Sequence, residues 1–358
     1  MNKVNAEKQK ITRSNLITFG MVIIAYVIVE IMLKTGNISS LFKGLLVPLC
    51  IYSILAVSLN LVVGISGELS LGHAGFMCVG AFTSATWSML MSGSAMPAGL
   101  RFFIAIVIGA VSAAFFGFII GIPVLRLKGD YLAIVTLAFG EIIKNLVNAL
   151  YFGVDARGAH FSLEDSMHLN MEGGDIIIKG AQGITGTPKN SNFTIGVVLL
   201  IVALFIVLNL INSRTGRAIM AIRDNRIAAE SVGLNVTKFK LLAFTISAAI
   251  AGVGGVLYAH NLSSLQALPK NFGYNQSIMI LVFVVMGGIG NIRGSVVAAV
   301  VLTVLPELLR GLSDYRMLIY AIVLILMMLF TSAPSWIQYR ERILMSFKKN
   351  KTERKEKD

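Results

Sequence analysis

Long apolar runs, separated by shorter polar segments, follow one another along most of the chain. A helix needs roughly 20 mainly apolar residues to cross the hydrocarbon core of a membrane. Several runs reach this length, and two weaker ones, 69–92 and 276–290, are interrupted by glycine. We therefore predict an all-α fold, a polytopic transmembrane helical bundle of about ten spans with some short or glycine-broken helices. The predicted spans are 16–33, 44–63, 69–92, 101–125, 130–152, 193–211, 237–260, 276–290, 294–312 and 317–334.

Composition favours a membrane protein over a soluble one. Hydrophobic residues make up 56% of the chain and charged residues 14%, with a mean hydropathy of +0.78. Soluble domains carry roughly 25% charged residues, so this chain has too few polar side chains to cover a soluble surface. The net charge of +13 does not indicate nucleic acid, because the basic residues lie in the terminal tails and between apolar runs.

The charges of the polar segments predict how the chain is threaded. Segments rich in Lys and Arg remain on the cytoplasmic side of a membrane. The tails 1–15 and 336–358 are basic, so we expect both termini in the cytoplasm and a membrane domain over 16–335. Alternation from the N terminus then places segment 153–192, with five acids and three bases, outside, and the basic loop 213–240 inside.

Two segments in different halves of the chain combine an apolar run with several glycines. They are LNLVVGISGELSLGHAGFMCVGAF, from Leu59, and VFVVMGGIGNIRGSVVAA, from Val282. Paired glycine-interrupted segments indicate the pathway of a transporter, because irregular backbone is tolerated where it lines a cavity. The alternative is that the glycines only allow close helix packing. The pathway or gate candidates are Gly64, Gly67, Gly72, Gly75, Gly287, Gly288 and Gly290.

A polar stripe interrupts the predicted span 130–152. Four polar residues are spaced at i, i+3, i+4 and i+7, which places them on one face of a helix. Polar side chains inside a membrane are costly and rarely face lipid. The stripe therefore either lines a wet pathway, which is our hypothesis, or binds a neighbouring helix or subunit. Its members are Glu141, Lys144, Asn145 and Asn148.

The loop 213–240 combines basic residues with small residues at helical spacing. As one helix over 216–233, it would gather alanines on one side and charged residues on the other, with glycine as its stop. Small residues let another backbone approach, so we predict a docking helix. The alternative is a loop whose charge only fixes the topology. The residues assigned to docking are Arg217, Arg223, Arg226, Ala228, Ala229, Glu230 and Gly233.

The sequence contains no constellation that indicates catalysis. Its four histidines are scattered, and no cysteine or carboxylate accompanies them at the spacing of a metal site. The chain also has no P-loop motif, so it lacks that means of hydrolysing a nucleotide. We therefore expect a transporter without an evident motor, which is not an enzyme and has no metal or cofactor.

Six residues of the loop fit a known signature. The block AAESVG, Ala228–Gly233, matches the A-A-x-x-x-G docking signature of bacterial ABC importer permeases. Longer blocks, including LKGDYLAIVTLAFGEIIKNL, KGAQGITG and both glycine segments, make residues 52–309 resemble permeases of branched-chain amino acid ABC transporters. Two departures are Ile227, where the general signature has Glu, and the absence of Leu-Pro after the block. The outer segment is also enlarged, by FSLEDSMHLNMEGGDI.

This resemblance implies one subunit of a larger importer in a bacterial cytoplasmic membrane. Its partners would be a second related permease, two cytoplasmic ATPase subunits, an extracytoplasmic substrate-binding protein and the lipid bilayer, with no nucleic acid. The docking residues would receive the movement of the ATPases, and the glycine segments would form a moving inner gate. Leu, Ile or Val would be the cargo. The alternatives are urea, amides, other amino acids or sugars in the same superfamily, and an ion-coupled secondary transporter.

Overall fold

Helices account for most of the chain in the computed structural model, which describes residues 2–36, 39–127, 129–155, 157–169, 171, 173–312 and 315–332. The predicted tail 336–358 lies outside these residues. The predicted tail 1–15 is helical from Asn2 and continues into the first span. The helices are α1 (Asn2–Lys34), α2 (Ser40–Asn60), α3 (His73–Leu90), α4 (Ala98–Val124), α5 (Asp130–Ala149), α6 (Phe193–Asn212), α7 (Arg214–Asp224), α8 (Arg226–Ser231), α9 (Val236–Ala259), α10 (Pro269–Phe272), α11 (Tyr274–Gly287), α12 (Ile292–Leu308) and α13 (Arg316–Ser332).

Seven helices in the described part of the chain are long and apolar enough to cross a membrane. Three others, α3, α11 and α13, fall short in length or in apolar character. Each of the ten predicted spans overlaps one of these seven helices or one of the three others, which confirms the helical bundle. The number of helices that cross, and the side on which each terminus lies, stay predictions. The seven are Asn15–Lys34, Ser40–Ser66, Ala98–Val124, Asp130–Ala149, Phe193–Asn212, Val236–Ala259 and Ile292–Gly311.

Glycines let the central helices of the bundle pack closely. α9 contacts α2, α3 and α4 along its length. A Cβ atom on Gly80 of α3 would lie 2.5 Å from the Gly252 Cα of α9, and one on Gly255 would lie 2.0 Å from the Met77 carbonyl oxygen. No side chain fits there without a backbone shift, and such small residues bring membrane helices together.

The helix that begins as α2 continues past Asn60 with a different winding. Residues Leu61–Ser66 form a π-helix, and all six are buried. Gly67 follows with a φ of 74°, a left-handed conformation that favours glycine. Short π-helical insertions are rare and are found frequently at functional sites. We call residues 61–68 the π segment.

Segment 153–192 contains strands, which the all-α prediction did not include. Three of them form an antiparallel sheet in the order β2-β1-β3, and β4 pairs with β5. β1 begins at Tyr151, so α5 ends before it and the predicted span 130–152 was too long. Aromatic and β-branched residues favour strands, but hydropathy alone does not separate them from a helix end. The strands are β1 (Tyr151–Asp155), β2 (Gly158–Ser162), β3 (Asp175–Lys179), β4 (Ile184–Thr185) and β5 (Ser264–Leu265).

A second compact unit begins at residue 301, while the residues before it form the first. Its described part contains the end of α12, a 3₁₀ turn at Leu309–Leu312, and α13. Arg310 pairs with Glu307 there, at 2.9 Å. All of the predicted site residues lie in the first unit.

Candidate functional site

The loop 213–240 forms two helices, so the prediction of one helix over 216–233 was wrong. The break is at Asn225, whose extended backbone (φ −153°, ψ 103°) ends α7. Its side chain then accepts a hydrogen bond of 3.0 Å from the Ala228 N–H and caps α8. Asparagine is among the residues that most favour this capping position, and helical periodicity alone did not reveal the break.

α8 has one buried residue and a broad exposed face. Ala229 is 4% exposed and packs with Ile222 and Val236, so it supports the helix within this chain. Ile227 and Val232 are 80% and 75% exposed. Ala228 and Glu230 are exposed beside them. The outward face of α8 is therefore partly apolar, although the loop around it is charged.

The three candidate arginines of the loop have different contacts. Arg226 forms an exposed pair with Glu230, at 2.9 Å and with i, i+4 spacing. Arg217 donates to the Asn212 carbonyl oxygen at the end of α6, at 3.1 Å. Arg223 contacts Asp224 and also reaches the membrane bundle, as described below. Of the three arginines, only Arg226 lies on α8 itself.

Gly233 ends the loop helices, as predicted. Its φ of +84° is left-handed, and its N–H donates to the Glu230 carbonyl oxygen at 3.0 Å. No atom lies within 4 Å of the position of a Cβ, so a side chain would strain the backbone without clashing. Asn235 then caps α9 by accepting from the Lys238 N–H at 3.0 Å.

The two glycine segments meet at Gly64 and Gly290. A Cβ on Gly64 would lie 2.3 Å from the Gly290 nitrogen. Asn60, which is fully buried, joins them: its Oδ1 accepts the Gly290 N–H at 2.8 Å, and its Nδ2 donates to Ser295 Oγ at 2.7 Å. Gly290 itself has a φ of +82°. Sequence similarity paired these segments, and the fold brings them into contact.

The π segment is also contacted from the loop. Arg223 Nη1 donates to the Gly64 carbonyl oxygen at 2.8 Å. A Cβ on Gly67 would lie 2.6 Å from Arg223 Cγ, so the arginine side chain lies across this glycine. Lys240, in the first turns of α9, forms an ion pair with Glu68. Side chains on both sides of α8 therefore hold the π segment.

The remaining candidate glycines serve close packing and a tight turn. A Cβ on Gly72 would lie 2.1 Å from the Thr136 carbonyl oxygen, and one on Gly75 would lie 2.8 Å from the Gly140 Cα of α5. These two fit the packing alternative.

The glycines at the end of α11 form a tight turn. A Cβ on Gly287 would lie 2.3 Å from the Gly294 carbonyl carbon, and Gly288 has a φ of +93°.

Three members of the α5 stripe have partners within the chain. Lys144 forms an ion pair with Glu141, whose Oε1 also accepts the Tyr274 N–H, at 2.7 Å, where α11 begins. Asn148 Nδ2 donates to the Ala267 carbonyl oxygen at 3.0 Å. These contacts fit the alternative in which the stripe binds a neighbouring segment. Asn145 is exposed.

Three residues central to this site were not among the predicted ones. Asn60 is a polar residue in the middle of an apolar run, which was the available signal. Lys240 and Glu68 were not singled out, since no sequence pattern pairs residues that are so far apart. The described residues contain no group of three or more His, Cys, Asp or Glu that could hold a metal ion.

Comparison with known proteins gives the family. Residues 41–331 match the family described as branched-chain amino acid transport system, permease component. The chain is 38% identical, over 291 residues, to the high-affinity branched-chain amino acid transport system permease protein LivM of Salmonella typhimurium. LivM of Escherichia coli gives the same identity over the same length. Both matches cover 78% of this chain and 66% of the relative, so the chain spans just under two thirds of the length of these relatives.

A more distant relative extends over more of its own length. The fructose import permease protein FruG of Bifidobacterium longum is 27% identical, over 86% of this chain and 87% of the relative. No solved structure matches the chain. The family match covers most of the chain and confirms the resemblance found in the sequence. The chain therefore belongs to the family described as branched-chain amino acid transport system, permease component.

Proposed function

We propose that this chain is a permease subunit of an ABC importer that carries leucine, isoleucine and valine. The observation behind the proposal is the outward face of α8, where Ile227 and Val232 are exposed on a charged loop. Exposed apolar patches commonly mark interaction sites, and a cytoplasmic ATPase subunit would cover this one. Two relatives at 38% identity bear names that specify branched-chain amino acid transport, which supports the cargo.

The proposed topology follows from the charges and the helices. The ten helices of the predicted spans enter the membrane of a bacterial cell, with both termini in the cytoplasm. The α7–α8 loop is then cytoplasmic, where two ATPase subunits dock, and the sheet of β1, β2 and β3 lies outside, within reach of a substrate-binding protein. A second related permease completes the pathway.

The candidate residues of the loop take distinct roles in this proposal. Ala228 allows the ATPase backbone to approach, and the exposed pair of Arg226 and Glu230 gives its register. Ala229 anchors α8 to its own chain, because it is buried against α7 and α9. Gly233 supplies the left-handed turn that returns the chain to the membrane. ATP-driven closure of the ATPases then displaces α8 and, through it, the bundle.

The pathway is proposed to run beside α5 and the junction of the two glycine segments. Asn145 is exposed on α5, and an amide in a membrane helix is costly when it faces lipid. We therefore assign its face to the pathway or to the second permease. Glu141 and Asn148 hold this helix against neighbouring segments, and Lys144 pairs with Glu141 within the helix. The contact of Gly64 with Gly290 forms the inner gate.

A sugar is the second candidate cargo. The relative named for fructose import matches 87% of its own length, and a ribose import permease protein, RbsC of Escherichia coli, is 30% identical over 33% of this chain. In this class the permease would use the same loop and gate. The proposal for branched-chain amino acids rests on the higher identity.

Purification of the tagged chain with its bound subunits tests the proposal. Proteoliposomes containing the complex should take up radiolabelled leucine when ATP is present on the side of the ATPases, and fructose should not compete. Uptake driven by an ion gradient in the absence of any ATPase would refute the ABC assignment. ATP-dependent uptake of fructose with no uptake of leucine would refute the cargo alone.

A further inference from the structure

Two contacts join the π segment to the loop that carries α8. The first is the hydrogen bond of 2.8 Å from Arg223 Nη1 to the Gly64 carbonyl oxygen. The second is the ion pair of Lys240 with Glu68, whose side chains are only 13% and 12% exposed. One contact comes from α7 and the other from α9, the helices on either side of α8. We call this pair of contacts the coupling clamp.

The first contact is made with a backbone carbonyl group of the π segment, that of Gly64. The Val62 carbonyl oxygen accepts hydrogen bonds from the N–H groups of Gly67 and Glu68 and so closes the end of the segment. The Gly64 carbonyl oxygen accepts a charged donor from the loop, and such bonds are stronger than those between neutral groups. Gly67 leaves the space that the arginine occupies, since a Cβ there would lie 2.6 Å from Arg223 Cγ.

The second glycine segment is joined to the first by Asn60. Both polar atoms of its buried amide form hydrogen bonds: Oδ1 accepts from the Gly290 N–H, and Nδ2 donates to Ser295 Oγ. Asn60 immediately precedes the π segment and is part of the same helix. A displacement of this segment must therefore either break these hydrogen bonds or move the turn at Gly290.

We propose that Arg223 and Lys240 are positioning residues that transmit the movement of α8 to the π segment, and that Asn60 extends it to the turn at Gly290. The inference rests on the proposed function and adds the route from the ATPases to the gate. It assigns Arg223 to transmission inside the chain, whereas Arg226 and Glu230 serve the docked subunit. None of the three transmitting residues needs to touch the cargo.

Hydrogen–deuterium exchange of the assembled complex tests the transmission without any cargo. In the wild type, trapping of the ATPases with ATP and vanadate should change the exchange rate of the amides of residues 61–68. In Arg223→Ala and Lys240→Ala, this response should disappear, and the amides should exchange about tenfold faster before trapping, because they open locally more often. The exposed residues Arg214 and Lys238 provide matched controls, Arg214→Ala and Lys238→Ala, which should behave as the wild type.

Uptake measurements then separate a coupling role from a structural one. Arg223→Lys and the two alanine variants should lower the amount of leucine carried per ATP hydrolysed about tenfold or more, with subunit assembly intact. Glu68→Lys combined with Lys240→Glu should restore the ratio that either change alone lowers, because the ion pair is re-formed with reversed charges.

Two results would overturn the coupling clamp. One is an exchange response to trapping that persists in both alanine variants, and the other is an unchanged ratio of uptake to hydrolysis in both. Absence of leucine uptake by the wild type, with the exchange response present and lost in the variants, would refute the proposed cargo and leave the coupling clamp in place. Absence of any bound ATPase would refute the proposed function and the transmission together.

Discussion

Asn60 shows how one residue can fix the geometry of the proposed gate. It has no exposed surface, and its amide bonds to both the backbone and a side chain of the second glycine segment. A buried polar group that lost one of these partners would keep its desolvation cost, about 1–3 kcal/mol. Asn60 therefore opposes separation of Gly64 from Gly290 until another partner, such as water, replaces the lost bond.

Gly64→Ala should damage the proposed gate more than the same change in α2. The new methyl group would lie 1.9 Å from Asn60 Oδ1 and 2.3 Å from the Gly290 nitrogen. Overpacking of this kind costs roughly 1–3 kcal/mol, so we expect a lower unfolding midpoint and greatly reduced uptake. Gly44→Ala is the matched control, because nothing lies within 4 Å of its Cβ position. Equal effects of the two changes would contradict the close contact.

The pKa of His168, in the outer segment, should lie above the ordinary value of a histidine. Its Nδ1 lies 2.7 Å from Asp165 Oδ1, and this hydrogen bond, with the charges of Asp165 and Glu164, raises the pKa of His168. The backbone N–H of His168, which donates to Asp165 Oδ1 at 2.9 Å, and then its imidazole lower the pKa of Asp165. The stabilisation that His168 gives to its turn is fully present below the pKa of an unfolded histidine and is lost as pH rises through the raised value. NMR titration should show the raised pKa, and Asp165→Asn should lower it; an identical pKa in that variant would contradict the pairing.

At the scale of elements, α11 is a short helix fixed at both ends. Its N terminus meets the Glu141 carboxylate through the Tyr274 N–H, a favourable position for negative charge. Its C terminus ends in the turn of Gly287 and Gly288, which leads to the contact with Gly64. α11 therefore connects the α5 stripe to the contact of Gly64 with Gly290.

Glu141→Gln should loosen this connection. The change removes the charge that pairs with Lys144, whose side chain is 8% exposed, and weakens the bond to the Tyr274 N–H. A hydrogen bond to a charged group contributes about 1.5–3 kcal/mol, so we expect a loss of stability of that order in chemical unfolding. Glu30→Gln is the control, because its pair with Lys34 is 77% exposed on the lysine side and 3.9 Å long. A loss no larger than that of the control would contradict the role of Glu141.

Charged substitutions on α8 should separate docking from folding. Val232→Asp leaves the free chain stable within about 0.5 kcal/mol, because this side chain is 75% exposed. It places an unpaired carboxylate in the proposed interface, so the ATPase subunits should no longer copurify. Thr237→Asp, at an exposed position of α9, is the control. Copurification of equal amounts of ATPase with both variants would show that α8 is not the docking helix.

At the scale of the whole molecule, the bundle was predicted from the length of the apolar runs and the charge of the segments between them. A helix that crosses a membrane needs a long apolar run, and charged residues are costly within it. Each apolar run contains a helix, but the runs do not say where winding changes, and the π segment lies within an ordinary-looking one. The strand beginning at Tyr151 and the break at Asn225 were missed because local capping and sheet pairing override hydropathy. The contact of Gly64 with Gly290 was predictable only as a similarity of two segments, since residues 226 positions apart meet through the fold.

Cysteine labelling can test the threading of the whole chain. Cys50 and Cys78 are buried, so they should resist a membrane-impermeant maleimide in intact cells. Ser166→Cys, in the outer segment, should react from outside, and Ser231→Cys, on α8, only after the membrane is opened; both positions are exposed. Reaction of the α8 position in intact cells would reverse the proposed topology.

α11 is shorter than the hydrocarbon core of a membrane is thick. Its 14 residues rise about 21 Å even if the helix stands upright, against a hydrocarbon core of about 30 Å. In the proposed topology, in which this helix crosses the membrane, lipid thinning or inlets of water make up the difference. A zwitterion that moved along α11 would be out of contact with water over a distance shorter than the thickness of the bilayer. The electrostatic free energy needed for it to cross would therefore be lower.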